Sequence, residues 1–259
     1  MELPRIRFRV ASPEKAAEFI FALKESLGEQ EKDAEDKYEN QADDIFLPMS
    51  RKIVLELITS NKLSGKLKAE LVKLAEVPLK ESSDDLLSEL EKIRFMWNNE
   101  IEKVYWEELR RLIGNNIKLE EEYNAFISNV VCGAYYGKNE VSIPRYKEGD
   151  TNLFIFVLAE EISHIVYWNF LSDNLGIKKD DKIWESGKNG WSLWNISEAI
   201  PEYLFIDNKN FSKFGWNDLK RTYSYPWIPK IRKILDPLWN DRKDFKDFLI
   251  KAHKKLGLL

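Results

Sequence analysis

The feature that most constrains this chain is the stretch "FIFVLAEEISHIVYW", which runs from Phe154 to Trp168. It is nearly all apolar, but Glu160, Glu161 and His164 stand at its centre. On a helix, Glu160 and His164 lie one turn apart and Glu161 lies three residues before His164, so the three side chains share one face. Apolar residues cover the same face on the turns above and below, namely Leu153, Val157, Trp168 and Leu171. The pattern predicts a buried helix over residues 152–172 with a charged island in its apolar face.

That charged island needs a partner, because a buried carboxylate without one is strongly destabilising. Its groups must be paired, protonated or bound to a cation. A structural Glu–His ion pair against another segment is one solution, and a metal site is another. The apolar surroundings favour the metal site.

A second acidic pair occurs in "WNISEAIPEYLF", from Trp194 to Phe205. The flanking apolar residues predict a helix over residues 194–206, on which Glu198 and Glu202 stand one turn apart. Pro201 lies inside this helix, so we expect the helix to be kinked or to start later. A metal held by one helix needs at least one more protein ligand. Glu198 is predicted to supply it.

Together these motifs resemble those of the zincin metallopeptidases, and within them the gluzincin group. That family carries His-Glu-x-x-His on its active-site helix and a glutamate ligand on a later helix. Here "EEISH" matches the first motif except at its first position, and "SEAIPE" resembles the second. Glu198 follows His164 by 34 positions, which suits the family. The strand "NEVSIP" resembles the family's edge strand, which pairs with extended substrate.

The resemblance, which covers roughly residues 123–205, implies a role for each matching residue. Glu160, His164 and Glu198 would bind one divalent ion, with zinc as the first candidate and manganese or iron as alternatives. Glu161 would be the general base that takes a proton from a metal-activated water. Glu202 matches the acidic residue that orients the first histidine of the family. The implied substrate is a peptide or protein.

Glu160 is the main departure from the family, because it stands where the family has its first histidine. A carboxylate makes the ligand set harder, so manganese or iron competes better with zinc than in the usual site. It also places Glu160 near Glu202 with no imidazole between them. One of these two carboxylates must therefore be protonated or bonded elsewhere.

The family also needs a hydrogen-bond donor for the oxyanion. The segment "RTYSYPW" offers Arg221, Tyr223 and Tyr225, with the two tyrosines as the main candidates. For Tyr225, packing against Trp227 is an equal alternative. His253, in "KAHKK", is predicted to occupy a solvated helix position rather than to bind the metal.

Composition excludes several classes of function. The net charge is −4 with both signs mixed along the chain, unlike the basic footprint of a nucleic-acid binder. The single cysteine, Cys132, excludes an internal disulfide framework and a cysteine-based zinc site. We see no secretion signal, and charges interrupt the longest apolar stretch at Glu160 before it reaches a bilayer span. We expect a cytoplasmic protein without a membrane partner, and the oligomeric state stays open.

The remaining pattern predicts an α+β fold that is predominantly helical. "RIRFRV" reads as a strand from Arg5 to Val10, followed by a helix that opens at Ser12 and Pro13. Helical periodicity continues to about Ile113, with expected breaks at Gly28, Pro48–Ser50, Ser64–Gly65, Pro78 and Ser82–Ser83. Strands then follow over 123–144, with a turn at residues 137–139.

Two further helices are predicted over 226–239 and 241–256. The resemblance implies a zincin-like core in which a small sheet packs on the active-site helix. We therefore predict two domains: an N-terminal strand and helical region over 1–115, and a zincin-like domain over 116–259.

Two functions fit this sequence. The first is a metal-dependent peptidase that uses Glu161 as its general base. The second is a catalytically degenerate zincin-fold protein that serves binding or assembly. The presence of Glu161 favours activity, whereas the missing first histidine favours its loss.

Overall fold

The computed structural model describes residues 3–24, 49–114, 117–144, 151–177, 187–216 and 225–259. Over these ranges the protein is predominantly helical and contains a small four-stranded sheet. The predicted α+β class is therefore confirmed.

The chain forms two compact units that interleave along the sequence. One contains Arg5–Met96 and Glu122–Leu158, and the other contains Met1–Pro4, Trp97–Glu121 and Ala159–Leu259. The sequence predicted a different division, into the consecutive segments 1–115 and 116–259. The two-segment division stays a prediction about which parts of the chain fold on their own.

The first unit holds the sheet. Its strands are β1 (Arg5–Val10), β2 (Glu122–Ser128), β3 (Ala134–Tyr136) and β4 (Glu140–Pro144). Their order is β1-β2-β4-β3, with β1–β2 and β2–β4 parallel and β3–β4 antiparallel. The expectation that the strand "NEVSIP" forms an edge is wrong, because the turn at residues 137–139 folds β3 back onto β4. The strand β4 thus lies inside the sheet.

The helices of the first unit are α1 (Pro13–Ala22), α2 (Arg51–Thr59), α3 (Gly65–Glu81) and α4 (Ser83–Met96). Ser12 caps α1 and Ser64 caps α3, each by accepting a hydrogen bond from a first-turn amide, so these predicted starts are confirmed. The expected breaks at Gly28 and Pro48 lie outside the described residues.

The expected break at Pro78 is wrong, because Pro78 lies in the last turn of α3. Only one turn of helix follows this proline. Its carbonyl oxygen accepts hydrogen bonds from the Ser82 hydroxyl at 2.6 Å and from the Asn129 amide at 3.0 Å. These bonds stabilise the helix end where the proline interrupts the ladder.

The second unit carries the remaining helices. They are α5 (Glu102–Ile113), most of α6 (Thr151–Leu175), α7 (Leu193–Pro201), α8 (Ile228–Asn240) and α9 (Phe245–Leu256). A π-helical turn (Trp97–Ile101) precedes α5, and another (Glu202–Ile206) follows α7. The last helix begins at Phe245 rather than at 241, because the Asp244 carboxylate caps it by accepting from the Asp247 amide at 2.8 Å.

Helix α6 is long and apolar enough to cross a membrane, judged by length and composition alone. From the sequence we expected no stretch that is long and apolar enough to span a bilayer. However, 83% of its apolar window is buried within the structure, as in a core helix of a soluble protein. A single helix of this kind is weak support for a membrane span.

Candidate metal centre

Three acidic or imidazole side chains meet where α6 and α7 face each other. Glu160 and His164 come from α6, and Glu198 comes from α7. Each residue offers one ligand atom, and these atoms all lie within 4.8 Å of one another. This trio, called the metal-ligand group below, could hold a metal ion.

Helix α6 positions its two members because it is buried on every side along the opening stretch. All residues from Phe154 to Trp168 are buried, including Glu160, Glu161 and His164. The Tyr105 hydroxyl of α5 donates a hydrogen bond to the carbonyl of Ala159 at 3.0 Å, which anchors the helix just before Glu160. The helical spacing then sets Glu160 and His164 one turn apart on a fixed backbone.

Glu160 has a buried oxygen whose charge would be costly in this position. Its Oε2 atom is buried and has no hydrogen-bond partner among the residues that the structure describes. Burial raises the pKa of this carboxyl well above its usual range, and the negative charges of Glu161, Glu198 and Glu202 raise that pKa further. Either a proton on this carboxyl or a cation beside it would offset the cost of burying its charge.

Glu198 lies opposite His164, with 3.6 Å between its Oε1 atom and the imidazole Nε2 atom. This distance exceeds that of an ordinary hydrogen bond. Burial raises the pKa of Glu198 to about 8, although a hydrogen bond from the Trp194 side chain acts in the opposite direction. In a tetrahedral site with bonds of about 2.1 Å, ligand atoms stand roughly 3.4 Å apart. The group needs only a small contraction to fit such an ion.

Glu161 is buried beside the metal-ligand group but is not one of its members. Its negative charge contributes to the raised pKa of Glu160. This placement is compatible with the predicted general base, and that role stays a prediction.

The sequence predicts that either Glu160 or Glu202 is protonated or bonded to another group. Glu202 is bonded to another group. Its Oε2 atom accepts a hydrogen bond from Arg232 Nη1 of α8 at 3.1 Å, and both side chains are largely buried. The same guanidinium donates to Asp236 at 3.0 Å and to Asp207. We call Arg232, Glu202, Asp207 and Asp236 the arginine cluster.

Sequence reasoning missed Arg232, because it lies 30 positions after Glu202 in a helix that also carries Lys230 and Lys233. The only local signal is its spacing to Asp236, which is one helical turn away. That signal is typical of solvated ion pairs as well.

Pro201 ends α7, and the π-helical turn begins at once with Glu202. Proline has no amide hydrogen, so it cannot donate to the carbonyl four residues earlier, and the regular ladder is interrupted there. The Asp207 amide then bonds to the Glu202 carbonyl at 2.8 Å, five residues back. The expected irregularity at Pro201 is confirmed, and it takes the form of a wider turn.

The start of α7 is fixed by a reciprocal cap between Ser192 and Asn195. The Asn195 side chain accepts from the Ser192 amide at 2.9 Å, and the Ser192 hydroxyl accepts from the Asn195 amide. This cap sets the rotation of the helix, which places Glu198 towards His164.

The predicted oxyanion donors have mixed outcomes. Arg221 and Tyr223 lie outside the described residues. The Tyr225 ring stacks on Trp227 with 5.2 Å between centroids and contacts Trp194 edge-on at 5.5 Å, which confirms the packing alternative. The side chain is 44% exposed, and its service as an oxyanion donor stays a prediction.

The solvated position predicted for His253 is wrong, because this residue is fully buried in α9. It lies on the apolar face of that helix, with Phe245, Phe248, Leu249, Ala252 and Leu256. Neither ring nitrogen has a hydrogen-bond partner within the described part of the chain. Burial lowers the pKa of His253 to about 4, so the ring stays neutral at physiological pH. The i, i+3, i+4 apolar spacing of the segment was the signal that could have revealed this.

Comparisons with known proteins leave the site to be interpreted from its own chemistry. No protein-family model, no curated protein and no solved structure matches this chain.

Proposed function

We propose that this protein is a metal-dependent peptidase. Glu160, His164 and Glu198 would hold one divalent ion, and Glu161 would be the general base. The proposal is carried by one observation: the metal-ligand group converges from two helices within 4.8 Å, in a buried position where Glu160 keeps an oxygen without a hydrogen-bond partner among the described residues. A zincin-like core and a cytoplasmic location belong to the same proposal.

The ion supplies Lewis-acid chemistry, which activates water towards a peptide carbonyl. The protein residues supply the rest. His164 and the two carboxylates orient the ion, and the buried walls of α6 keep bulk water away from it. Glu161 accepts the proton of the attacking water and returns it to the leaving amine.

Zinc is the first candidate because the proposed chemistry is hydrolytic and the donor set includes an imidazole. Manganese and iron are alternatives, since two carboxylates beside one imidazole form a harder set than the usual two imidazoles. The variant Glu160→His tests this choice, because it supplies the second imidazole. It should shift the metal selectivity towards zinc in a competition assay.

A second candidate function is binding or assembly by a catalytically degenerate member of this fold. The 3.6 Å contact between His164 and Glu198 favours this alternative, since it is also the geometry of a purely structural pair. A protein of this kind would contain no stoichiometric metal and would hydrolyse no peptide.

Metal analysis of the purified protein tests the proposal. Wild type grown with zinc, manganese and iron should carry about one ion per chain, whereas His164→Ala and Glu198→Ala should carry none. A wild-type protein without metal would contradict the proposal and support the structural alternative.

Glu161→Gln then separates catalysis from binding. This variant should keep the metal content of wild type but lose hydrolysis of an unstructured protein substrate by roughly 100-fold or more. Equal hydrolysis by the variant would remove Glu161 from the mechanism.

A further inference from the structure

Four aromatic side chains meet beside the start of helix α7. We call them the aromatic cluster, and its members are Trp191, Trp194, Tyr225 and Trp227. Trp227 lies at its centre, with 5.2 Å between its ring centroid and that of Tyr225. The centroids of Trp191 and Trp194 lie 5.9 Å and 5.6 Å from the ring of Trp227. The four rings therefore form one continuous apolar surface.

The aromatic cluster keeps part of this surface exposed. Tyr225 is 44% exposed, and the three tryptophans are half-buried. Four other tryptophans of the described chain lie in the core, namely Trp97, Trp106, Trp168 and Trp216. Single exposed apolar side chains are ordinary, whereas a contiguous exposed apolar surface is typical of a binding site.

Backbone hydrogen bonds hold the aromatic cluster in place. The Tyr225 carbonyl accepts from the Ile228 amide at 2.9 Å, which fixes the turn before α8. The Trp191 carbonyl accepts from the Gly187 amide at 2.7 Å, which fixes the segment before α7. The binding surface is therefore preformed, and a ligand does not have to order it.

Helix α7 connects the aromatic cluster to the metal-ligand group. Trp194 and Glu198 stand one turn apart on this helix, so their Cβ atoms are separated by about 5–6 Å. The Trp194 side chain also forms a hydrogen bond with Glu198. Side chains of an extended peptide follow one another every 3.3 Å or so, which spans this separation within a few residues. A peptide bound at the ion can thus place a side chain on the cluster.

We propose that the aromatic cluster is a specificity site that binds an aromatic side chain of the peptide substrate. This inference rests on the proposed hydrolysis at the metal-ligand group. An aromatic side chain is favoured over an aliphatic one, because rings gain from edge-to-face or offset stacking beyond the burial of their area. A charged side chain is disfavoured, since the four rings offer no opposite charge in exchange for its hydration.

Matched peptides test the preference. Each has ten residues of serine and glycine, except for one central position that is phenylalanine, leucine or serine. The three are mixed at equal concentration with zinc-loaded wild type, and mass spectrometry follows their cleavage, so that the rates give the ratio of kcat/KM. The phenylalanine peptide should be cleaved roughly tenfold faster than the serine peptide, on the scale of burying one ring. It should also be cleaved faster than the leucine peptide.

Trp227→Leu removes the central ring, so the ratio of phenylalanine to serine cleavage should fall towards one. Trp191→Leu should lower the same ratio and serves as the test if Trp227→Leu does not fold. Tyr225→Phe should keep the preference, because the ring remains even if loss of the hydroxyl slows cleavage of all three peptides equally.

Trp239→Leu is the matched control. Trp239 is also half-buried, but it stacks on Tyr203 with 4.6 Å between centroids. It stands 12 positions after Trp227, which corresponds to about 18 Å along α8. This variant should keep the wild-type ratio.

Saturation-transfer NMR on the peptides, with chelator-treated protein, measures binding without hydrolysis. Wild type should transfer magnetisation to the phenylalanine ring more strongly than to the serine or leucine side chain, and Trp227→Leu should weaken this transfer.

Three results would overturn the inference. One is equal cleavage of, and equal transfer to, the phenylalanine and leucine peptides. Another is a wild-type ratio in folded Trp227→Leu and Trp191→Leu. The third is self-association of wild type that Trp227→Leu abolishes, without any preference among the peptides, which would assign the cluster to a second copy of the chain. If wild type cleaves no peptide, the proposed function itself fails, and the NMR measurement still decides whether the cluster binds an aromatic side chain.

Discussion

The metal-ligand group is buried, whereas the arginine cluster joins the buried Glu202 to the more exposed Asp207 and Asp236, and the two sets of acidic groups are balanced in different ways. In the arginine cluster, one guanidinium contacts three carboxylates, so an internal cation neutralises much of the charge. In the metal-ligand group, two carboxyl groups meet one imidazole, which carries a positive charge only when it is protonated. A proton or a metal ion at this group would play the part that the guanidinium plays in the arginine cluster.

Removing the Arg232 guanidinium should produce the largest change in the free energy of unfolding. Arg232→Leu should lower the free energy of unfolding of the metal-free protein by about 3–5 kcal/mol, because it removes one partner of a buried ion pair with Glu202. Chemical denaturation in the presence of a chelator measures this change. Arg242→Leu is the control, and an equal loss there would mean that the arginine cluster is not special.

The stability of the metal-free protein should depend on pH because Glu198 is buried in the folded state. The pKa of Glu198 is about 8 in the folded protein and near 4.5 in the unfolded chain, so the unfolded chain loses its proton first as the pH rises. The free energy of unfolding of the metal-free protein should therefore fall between about pH 4.5 and pH 8, by up to roughly 5 kcal/mol. Denaturation curves of wild type and Glu198→Gln across this range provide the measurement.

Glu198→Gln should lack this component of the pH dependence, since its amide does not titrate. Saturation with zinc should also suppress the fall in wild type, because the bound carboxylate no longer takes a proton. Identical pH profiles for wild type and variant would contradict the assignment.

His253 extends the comparison to a buried group whose ring nitrogens have no hydrogen-bond partner among the described residues. Its pKa is about 4 in the folded protein and near 6.5 in the unfolded chain, so the unfolded chain gains a proton first as the pH falls. Stability should decrease by up to about 3 kcal/mol between pH 6.5 and pH 4. The sign is opposite to that for Glu198, and His253→Phe should remove this decrease without changing the loss at higher pH.

Metal addition should stabilise the wild-type protein but not a ligand variant. At a free ion concentration about 100 times the dissociation constant, the free energy of unfolding should rise by roughly 2.7 kcal/mol. Thermal unfolding with and without zinc measures this rise, and His164→Ala should show none. A similar rise in that variant would mean that zinc binds somewhere else.

The smallest effect is expected for Glu160→Gln in the metal-free protein. Burial and neighbouring negative charges raise the pKa of Glu160 and so favour its neutral form, so a neutral amide of the same shape should change the free energy of unfolding by less than about 1 kcal/mol. Chelator-treated samples at pH 7 give the comparison. A loss as large as that of Arg232→Leu would show that Glu160 is ionised and paired in the metal-free state.

The local part of the site could be predicted from sequence because helical spacing is a short-range property. The i, i+4 relation of Glu160 and His164 follows from the helix itself, and the apolar flanks of Glu198 indicated a second buried carboxylate. Arg232 could not be found in this way. Its contact with Glu202 depends on how α8 packs on the π-helical turn, and no local pattern encodes that.

The fold shows the same limit. Strand β1 and the capped start of α1 follow from residues that are adjacent in sequence, and both were predicted. The internal position of β4 depends on pairing with β2, whose partner residues lie 16 positions away along the chain, and on β3 across the turn. His253 was misassigned because neighbouring lysines hid its place on the apolar face of α9.

The π-helical turn after Pro201 also affects how this sequence aligns with relatives. A turn closed by a bond five residues back holds one more residue than an α-helical turn, while the chain on either side continues as before. A relative with a regular helix here should therefore lack one residue between Glu202 and Asp207. An alignment without a gap would then shift Asp207 and every later residue, including Arg232, by one position. Such a shift would hide the arginine cluster in a family alignment even where the ligands match.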